Sequence, residues 1–144
     1  MIQFLKGDIF ESSAQTLVNP VNCRGIMGKG LALLFRNRFL GLHESYVIDV
    51  LDKRLSIGNP TIWKGPQKWV INFPTKNDWR KPSSYDFIEA GLKGLRARLD
   101  EWGVLSLALP ALGCGLGSLE WDKVRLLILV HLGDLAMNIE VYEP

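Results

Sequence analysis

The segment TLVNPVNCRGIMGKG occupies residues 16–30 and joins a short apolar run to a glycine-rich loop. Leu17–Asn19 has the composition of a short buried strand. The loop that follows contains three glycines, Gly25, Gly28 and Gly30. Because glycine lacks a side chain, the backbone there can approach a ligand closely and adopt positive φ. Free backbone N–H groups in such a turn, beside a helix N-terminus, attract an anion. The segment therefore predicts an anion-binding loop at the end of a strand.

A second loop of the same kind, GCGLG at residues 113–117, follows the apolar run Leu105–Pro110. Two such loops in one small domain can hold a diphosphate between them, which predicts a nucleotide-like ligand.

Neither loop is a standard nucleotide motif. In the first loop, Lys29 is followed by Gly30, whereas a P-loop has a serine or threonine there. In the second loop, the third glycine comes one position too early for the GxGxxG motif. Glycines that only form tight turns remain the alternative interpretation.

Strand-like and helix-like segments alternate along the chain. Apolar patterning predicts strands over residues 2–5, 17–19, 61–63, 68–73, 105–109 and 138–142. It predicts helices over 30–39 and 42–51, a long helix from an N-cap at Ser83 or Ser84 to Trp102, and a helix that begins near Glu120. This alternation is typical of an α/β sandwich, in which ligands bind at the carboxyl ends of the strands, where both glycine loops fall.

The composition excludes several classes of protein. A length of 144 residues suits one compact domain, and a net charge of +2 is too small to favour strong, non-specific binding to nucleic acid. Two cysteines are too few for a disulfide scaffold, and no CxxC or HxxxH spacing occurs, so we expect neither metal nor cofactor. The N-terminus lacks a secretory apolar region, and the run Leu126–Val130 is too short to cross a bilayer. We therefore expect a soluble, cytoplasmic protein that does not contact a membrane.

Three motifs together resemble the signatures of macro domains. They are Gly7-Asp8-Ile9 after the first strand, Val18–Asn22 before the first loop, and Leu109–Gly117 across the second loop. The motifs occur in the family's order and spacing and extend over nearly the whole chain. The resemblance implies a three-layer α/β/α sandwich with a mixed central sheet, formed as a single macro domain over residues 1–144. It also implies a site for ADP-ribose, which many macro domains hydrolyse from their targets.

One segment, Asn72–Arg80, is similar to the lysine-bearing segment of the DarG antitoxins. These proteins remove ADP-ribose from thymidine bases in DNA and so reverse the action of the DarT toxin. The vertebrate terminal ADP-ribose glycohydrolase is similar at Cys23, at Arg24 and at the lysine, but it carries an aspartate where this chain has Gly117. The resemblance therefore implies a hydrolase for ADP-ribosylated thymidine in single-stranded DNA, with a DarT-like toxin as partner, and we expect a monomer.

Two other functions stay open at this stage. One is an ADP-ribose reader without turnover, and the other is a hydrolase for ADP-ribosylated protein carboxylates, against which Gly117 counts. DarG-like proteins usually carry a further C-terminal region that contacts the toxin, and the sequence leaves open whether such a region is missing here.

The resemblance also assigns residues to the ligand. The Asp8 carboxylate, which can only accept hydrogen bonds, is expected at the adenine amino group, with the backbone of Ile9 as a second contact. Asn19 and Asn22 are expected at the distal ribose, and the two loops at the diphosphate. The expected ADP-ribose contacts are Asp8, Ile9, Asn19, Asn22, Cys23, Met27, Gly28, Lys29, Gly30, Leu112, Gly113, Cys114, Gly115, Leu116 and Gly117.

Lys76 is the expected catalytic residue, together with Asn22. A lysine near the anomeric carbon can attack the opened sugar as a nucleophile. It can also protonate the departing base or stabilise it electrostatically, and the sequence leaves both roles open. A surface lysine paired with Asp78 is the structural alternative.

Trp79 and Arg80 are the expected nucleic-acid contacts, and Lys81 follows them directly. An aromatic side chain beside cations suits single-stranded DNA, because the ring stacks on a base while the cations contact phosphate. A half-buried tryptophan with ordinary surface charges fits the same pattern.

Overall fold

A computed structural model describes residues 1–144 as six strands and four helices arranged around one sheet. The strands are β1 (Ile2–Leu5), β2 (Thr16–Asn22), β3 (Thr61–Lys64), β4 (Trp69–Lys76), β5 (Ser106–Pro110) and β6 (Asn138–Tyr142). The helices are α1 (Gly30–Arg38), α2 (Leu42–Leu51), α3 (Tyr85–Trp102) and α4 (Trp121–Leu132), and a short 3-10 turn covers Ile9–Glu11.

The sheet is mixed, with the strand order β1-β6-β5-β2-β4-β3. Every neighbouring pair is parallel except β3 and β4, which pair antiparallel at one edge. This arrangement confirms the predicted α/β class with a mixed central sheet. No helix is long and apolar enough to span a bilayer.

Helices cover both faces of the sheet. Successive side chains of β2 point to opposite faces, so Leu17 packs in the layer that contains Tyr46 of α2, whereas Val18 packs in the layer that contains Leu92 of α3 and Ile128 of α4. All five side chains are buried. Burial on both faces explains why the strands read as nearly continuous apolar runs in the sequence. The result is the three-layer sandwich that the macro-domain resemblance implied.

The strands β2 and β4 are both longer than their apolar patterns predict. Their parallel pairing starts at Thr16 and Trp69 and continues to Asn22 and Lys76, with an irregular step between Val21 and Asn22. Polar side chains therefore occupy the last positions of two neighbouring strands. This pairing places Asn22 directly beside Lys76 at the carboxyl edge of the sheet.

The N-terminus of α3 lies beside this edge. Ser84 is its N-cap, because the Ser84 hydroxyl accepts a hydrogen bond from the backbone N–H of Phe87 at 3.2 Å. Ser83 has a different role: its hydroxyl donates to the backbone carbonyl of Thr75. Of the two serines that the sequence offered as caps, one thus caps the helix, while the other ties the loop before α3 to β4.

Candidate functional site

A cleft lies at the carboxyl ends of the central strands, under the two glycine-rich loops. It has two lobes that share Pro20, Lys29, Ala32 and Leu116 in their linings. The lysine lobe, named here for Lys76, has a volume of about 600 Å³. The aspartate lobe, named for Asp8, has a volume of about 520 Å³. Both volumes are within the range of small-molecule sites.

The two glycine-rich loops touch each other between the lobes. Gly30 has φ +57°, and a Cβ built on it would lie 3.1 Å from Cδ1 of Leu116 in the second loop. A side chain at position 30 would therefore meet Leu116 and would be strained by the positive φ. The N-cap of α1, Lys29, makes no side-chain capping hydrogen bond, so the first turn of the helix keeps its N–H groups free. The boundary between the lobes is thus a helix N-terminus open to an anion.

The second loop is closed by its own backbone. The carbonyl of Gly113 accepts from Leu119 N at 2.9 Å, and the carbonyl of Gly117 accepts from Ser83 N at 3.1 Å. A Cβ on Gly117 would lie only 2.4 Å from the Gly113 carbonyl oxygen, so this conformation requires glycine there. The N–H groups of residues 115–117 make no hydrogen bond within the protein. Three successive free donors at the cleft are what a diphosphate requires.

Asn22 holds the start of the first loop. Its Oδ1 accepts from the backbone N–H of Arg24 at 2.8 Å, and its Nδ2 donates to the carbonyl of Ile26 at 2.7 Å. The Tyr46 hydroxyl lies 2.6 Å from the Asn22 carbonyl oxygen and 3.0 Å from its Oδ1. Burial raises the pKa of Tyr46, so this hydroxyl stays a donor at any physiological pH. Asn22 lines the lysine lobe and keeps one Nδ2 hydrogen free for a ligand.

Lys76 connects the sheet to the second loop. Its Nζ donates to the carbonyl of Leu116 at 3.0 Å, and its own carbonyl accepts from Cys23 N at 3.1 Å. Burial lowers the pKa of the Lys76 amine, which raises the fraction of the neutral, nucleophilic form. Lys76 forms no ion pair; Asp78 pairs instead with two arginines. The alternative interpretation, a surface ion pair of Lys76 with Asp78, is therefore not what the structure contains.

Neither cysteine offers an alternative nucleophile. Burial raises the pKa of the Cys114 thiol to about 11 and also raises that of Cys23. Only the thiolate is strongly nucleophilic, so both thiols are unreactive near neutral pH. No cluster of three or more histidine, cysteine, aspartate or glutamate side chains is placed to hold a metal ion. The candidate nucleophile of the cleft is therefore the amine of Lys76 rather than a thiol.

Asp8 lies at the far end of the aspartate lobe. Its Oδ1 accepts from the backbone N–H of Phe10 at 2.9 Å, so the side chain caps the short turn that follows. The other carboxylate oxygen makes no hydrogen bond within the protein. Asp8 thus combines the capping role that a turn aspartate often has with a free acceptor facing the lobe.

Asn19 is not at the cleft. Its side chain is fully buried, and its Nδ2 donates to Oδ1 of Asn72 on the neighbouring strand at 3.2 Å. Its strand neighbours Leu17 and Val21 pack in the layer beneath α1 and α2. The prediction that Asn19 reaches the distal ribose is therefore wrong, because the alternation of β2 directs this side chain into the core.

Three other expected contacts also do not line the cleft. Met27 and Leu112 are fully buried, one in each core layer, so only their backbones are near the loops. Cys23 packs against the layer that contains Met27. These side chains anchor the loop ends to the core, so a contact of these residues with the ligand would be made by their backbones, and it stays a prediction.

The remaining predicted residues line the cleft. They are Asp8, Ile9, Asn22, Gly28, Lys29, Gly30, Gly113, Cys114, Gly115, Leu116 and Gly117, together with Lys76, Trp79 and Arg80. Three residues that the sequence motifs did not indicate, Phe10, Thr75 and Tyr142, also line the aspartate lobe. Phe10 directly follows the Gly7-Asp8-Ile9 motif, and Thr75 and Tyr142 lie at strand ends. Their positions in the sequence could therefore have indicated them, whereas their residue types could not.

Comparison with known proteins agrees with this geometry. The family model described as Macro domain matches residues 18–128, which is more than half of the chain. The chain belongs to the macro domain family.

Within that family, the chain is similar to DarG macrodomains over its whole length. A protein of Thermus aquaticus named DNA ADP-ribosyl glycohydrolase is 40% identical, with 100% of this chain and 41% of the relative covered. The chain thus spans about two fifths of the length of that relative. The solved macrodomain of Thermus aquaticus DarG is 40% identical with a TM-score of 0.95, covering 100% of this chain and 99% of that one. A structure of Thermosipho africanus DarTG in complex with ADP-ribose is 35% identical with a TM-score of 0.94, covering 99% and 41%.

The closed second loop predicts different effects of alanine at Gly117 and at Gly115. Gly117→Ala should lower the free energy of unfolding by about 1–3 kcal/mol, because the added Cβ overlaps the Gly113 carbonyl. Gly115→Ala is the matched control, since nothing lies within 4 Å of a Cβ at that position. Denaturant unfolding of both variants measures the difference. Equal stability of the two would show that the loop does not depend on glycine at position 117.

The contact between Tyr46 and Asn22 predicts a second stability difference. Tyr46→Phe should lower the free energy of unfolding by about 1–3 kcal/mol, because a buried carbonyl loses its donor. Tyr85→Phe is the control, since its hydroxyl forms one exposed hydrogen bond with Glu120 N and should change stability by less than about 0.5 kcal/mol. Thermal unfolding followed by circular dichroism compares them. The assignment fails if the two variants melt alike.

Proposed function

We propose that the cleft binds ADP-ribose with its adenosine in the aspartate lobe and its distal ribose in the lysine lobe. The free oxygen of Asp8 accepts from the adenine amino group, which offers only donors. The N–H groups of residues 28–30 and 115–117 surround the diphosphate where the loops meet. The free Nδ2 hydrogen of Asn22 is available to a hydroxyl of the distal ribose. The complex of Thermosipho africanus DarTG with ADP-ribose supports this assignment.

We propose that the chain hydrolyses the bond between ADP-ribose and thymidine in single-stranded DNA. The observation that carries the proposal is the position of Lys76, which presents a partly desolvated amine to the lysine lobe beside Asn22. The relative named DNA ADP-ribosyl glycohydrolase, 40% identical across this chain, supports the same substrate class. Because the chain spans about two fifths of that relative's length, the proposed activity concerns only the region that the two proteins share.

The lining of the lysine lobe favours a nucleophilic role for Lys76. No aspartate or glutamate lines this lobe, so no carboxylate is placed there as base or nucleophile. The neutral Nζ attacks the anomeric carbon, the bond to the thymine nitrogen breaks, and the base leaves with a proton from the attacking amine. The nitrogen lone pair then expels the ring oxygen, which takes the remaining proton of the nitrogen, and the sugar opens as an imine. Water then hydrolyses the resulting imine, which releases ADP-ribose and restores the amine. The overall reaction consumes one water and produces ADP-ribose and unmodified thymidine.

We further propose a DarT-like toxin as the enzyme whose product this chain removes. The likeness to Thermosipho africanus DarTG supports that pairing. We propose that a monomer is sufficient for this activity and that it acts in the cytoplasm, because every group invoked above comes from one chain and the substrate is DNA.

The decisive experiment measures release of ADP-ribose from a thymidine-ADP-ribosylated single-stranded oligonucleotide. Lys76→Ala and Lys76→Arg should each lose at least about a hundredfold in rate, because neither side chain can form the imine. Lys93→Ala, on the exposed side of α3, is the control that keeps the wild-type rate. The wild-type rate should rise with pH through the lowered pKa of Lys76, as the neutral amine accumulates.

Trapping separates the two roles of the lysine. Cyanoborohydride should link ADP-ribose covalently to Lys76 in the wild-type protein during turnover. Activity retained in Lys76→Arg would favour electrostatic stabilisation instead. If the protein binds ADP-ribose but releases none from any thymidine-linked substrate, it is a reader domain and the proposed hydrolase activity is wrong.

A further inference from the structure

At the rim of the lysine lobe, two exposed arginines share one buried carboxylate. Arg24 comes from the first glycine-rich loop, and Arg80 comes from the segment between β4 and α3. Both contact Asp78, whose side chain is only 5% exposed, whereas the arginine side chains are 62% and 64% exposed. We propose that Arg24 and Arg80 form a phosphate clamp, positioned by Asp78, for the DNA strand beside the modified nucleotide. This inference rests on the proposed activity towards DNA and adds the subsite that would hold the strand.

Asp78 determines the position of both arginines. Its Oδ1 accepts from the backbone N–H and from Nε of Arg80, both at 2.9 Å. Its Oδ2 accepts from Nη2 of Arg80 at 2.7 Å and lies 3.5 Å from Nε of Arg24. These hydrogen bonds from Arg80, with the charges of both arginines, hold the pKa of Asp78 well below its usual range. A buried carboxylate that stays ionised is a fixed anchor, because moving the Arg80 guanidinium away would break two hydrogen bonds to a buried charge. The second ion pair, with Arg24, draws the first glycine-rich loop towards the same carboxylate.

The anchored arginines keep donors free on their exposed sides. Arg80 contacts Asp78 through Nε and Nη2, so its Nη1 makes no hydrogen bond within the protein. Arg24 approaches Asp78 through Nε alone, which leaves both of its terminal nitrogens free. The planar guanidinium fork matches the spacing of phosphate oxygens. One carboxylate offsets only one of the two positive charges, so the pair remains net cationic.

The surroundings fit a nucleic-acid strand. Lys29, Lys76, Arg80 and Lys81 line the lysine lobe, and no acidic residue does. Trp79 is 43% exposed, and the Arg80 guanidinium lies 5.4 Å from the centre of its ring. An exposed ring beside a phosphate-binding cation is the combination with which proteins bind single strands.

The clamp is separate from the groups assigned to the diphosphate of ADP-ribose. Those groups are the backbone donors at the boundary between the lobes, whereas Arg80 lines the lysine lobe only and Arg24 lines neither lobe. The two arginines are thus available to a phosphate that free ADP-ribose does not contain. The phosphates of the strand next to the modified base are the anions that this rim can reach.

The test compares two substrates that differ only in the strand: ADP-ribosylated thymidine nucleoside and an ADP-ribosylated oligonucleotide. Arg24→Gln, at a residue that lines neither lobe, should lower kcat/KM for the oligonucleotide by about tenfold and leave the nucleoside within about twofold. Arg80→Gln should lower kcat/KM more for the oligonucleotide than for the nucleoside. Each should also reduce the slope of log affinity against log salt by roughly 0.7. Arg98→Gln is the control, because Arg98 is an arginine paired with Glu101 near the opposite end of α3.

Asp78→Asn separates a positioned clamp from general positive charge. The change raises the net charge, so simple attraction predicts tighter binding to the oligonucleotide, whereas loss of the anchor predicts weaker binding. Turnover of the nucleoside reports in the same sample whether the variant is folded. Tighter oligonucleotide binding by Asp78→Asn would overturn the role of the anchor.

A binding measurement keeps the inference testable if the hydrolase proposal fails. Fluorescence anisotropy with a labelled, unmodified single-stranded oligonucleotide needs no turnover, and Arg24→Gln and Arg80→Gln should weaken that binding. A wild-type protein that releases no ADP-ribose from either substrate contradicts the proposed activity alone. The clamp is overturned if the arginine variants bind and turn over the oligonucleotide as the wild type does, or if their kcat/KM falls equally for both substrates.

Discussion

The parallel pairing of β2 with β4 is the constraint on which the cleft depends. The two strands are buried on both faces and are paired from Thr16 and Trp69 onwards, so their relative position is set by the core. Because the pairing continues to their ends, Asn22 and Lys76 emerge side by side. A parallel pair sends both chains out at the same edge, and the first glycine-rich loop therefore begins next to the amine.

The second loop reaches the same place by two separate contacts. Leu116 packs over Gly30 in the first loop, and its carbonyl accepts the hydrogen bond from Lys76. The cleft is divided into lobes at this point, with free backbone donors on both sides of the division. A ligand that fills both lobes must pass between the loops, so the backbone donors and the amine act on neighbouring groups of one molecule.

Charge is distributed unequally between the lobes. The charged residues that line the lysine lobe are all cations, while the aspartate lobe contains Asp8 and Glu143. Asp78, which directly precedes the lysine-lobe residues Trp79 and Arg80, is buried and pairs with two arginines. A polyanionic ligand is therefore attracted towards the end of the cleft where Lys76 lies, whereas the acceptor that suits an amino group is at the other end.

Apolar periodicity and glycine spacing were enough to predict the class of fold and the position of the loops, because both are local properties of the chain. Motifs also indicated Asp8, shortly after β1, and Lys76, the last residue of β4. The folded chain alone decided which strand residue reaches the cleft: Asn19 and Asn22 are the same residue type three positions apart, yet Asn19 lies in the core, whereas Asn22, after the irregular step of β2, lines the lysine lobe. The pairing of Arg24 with Asp78 also depends on the folded chain, since the partners are 54 positions apart in sequence and come together only when β2 and β4 pair.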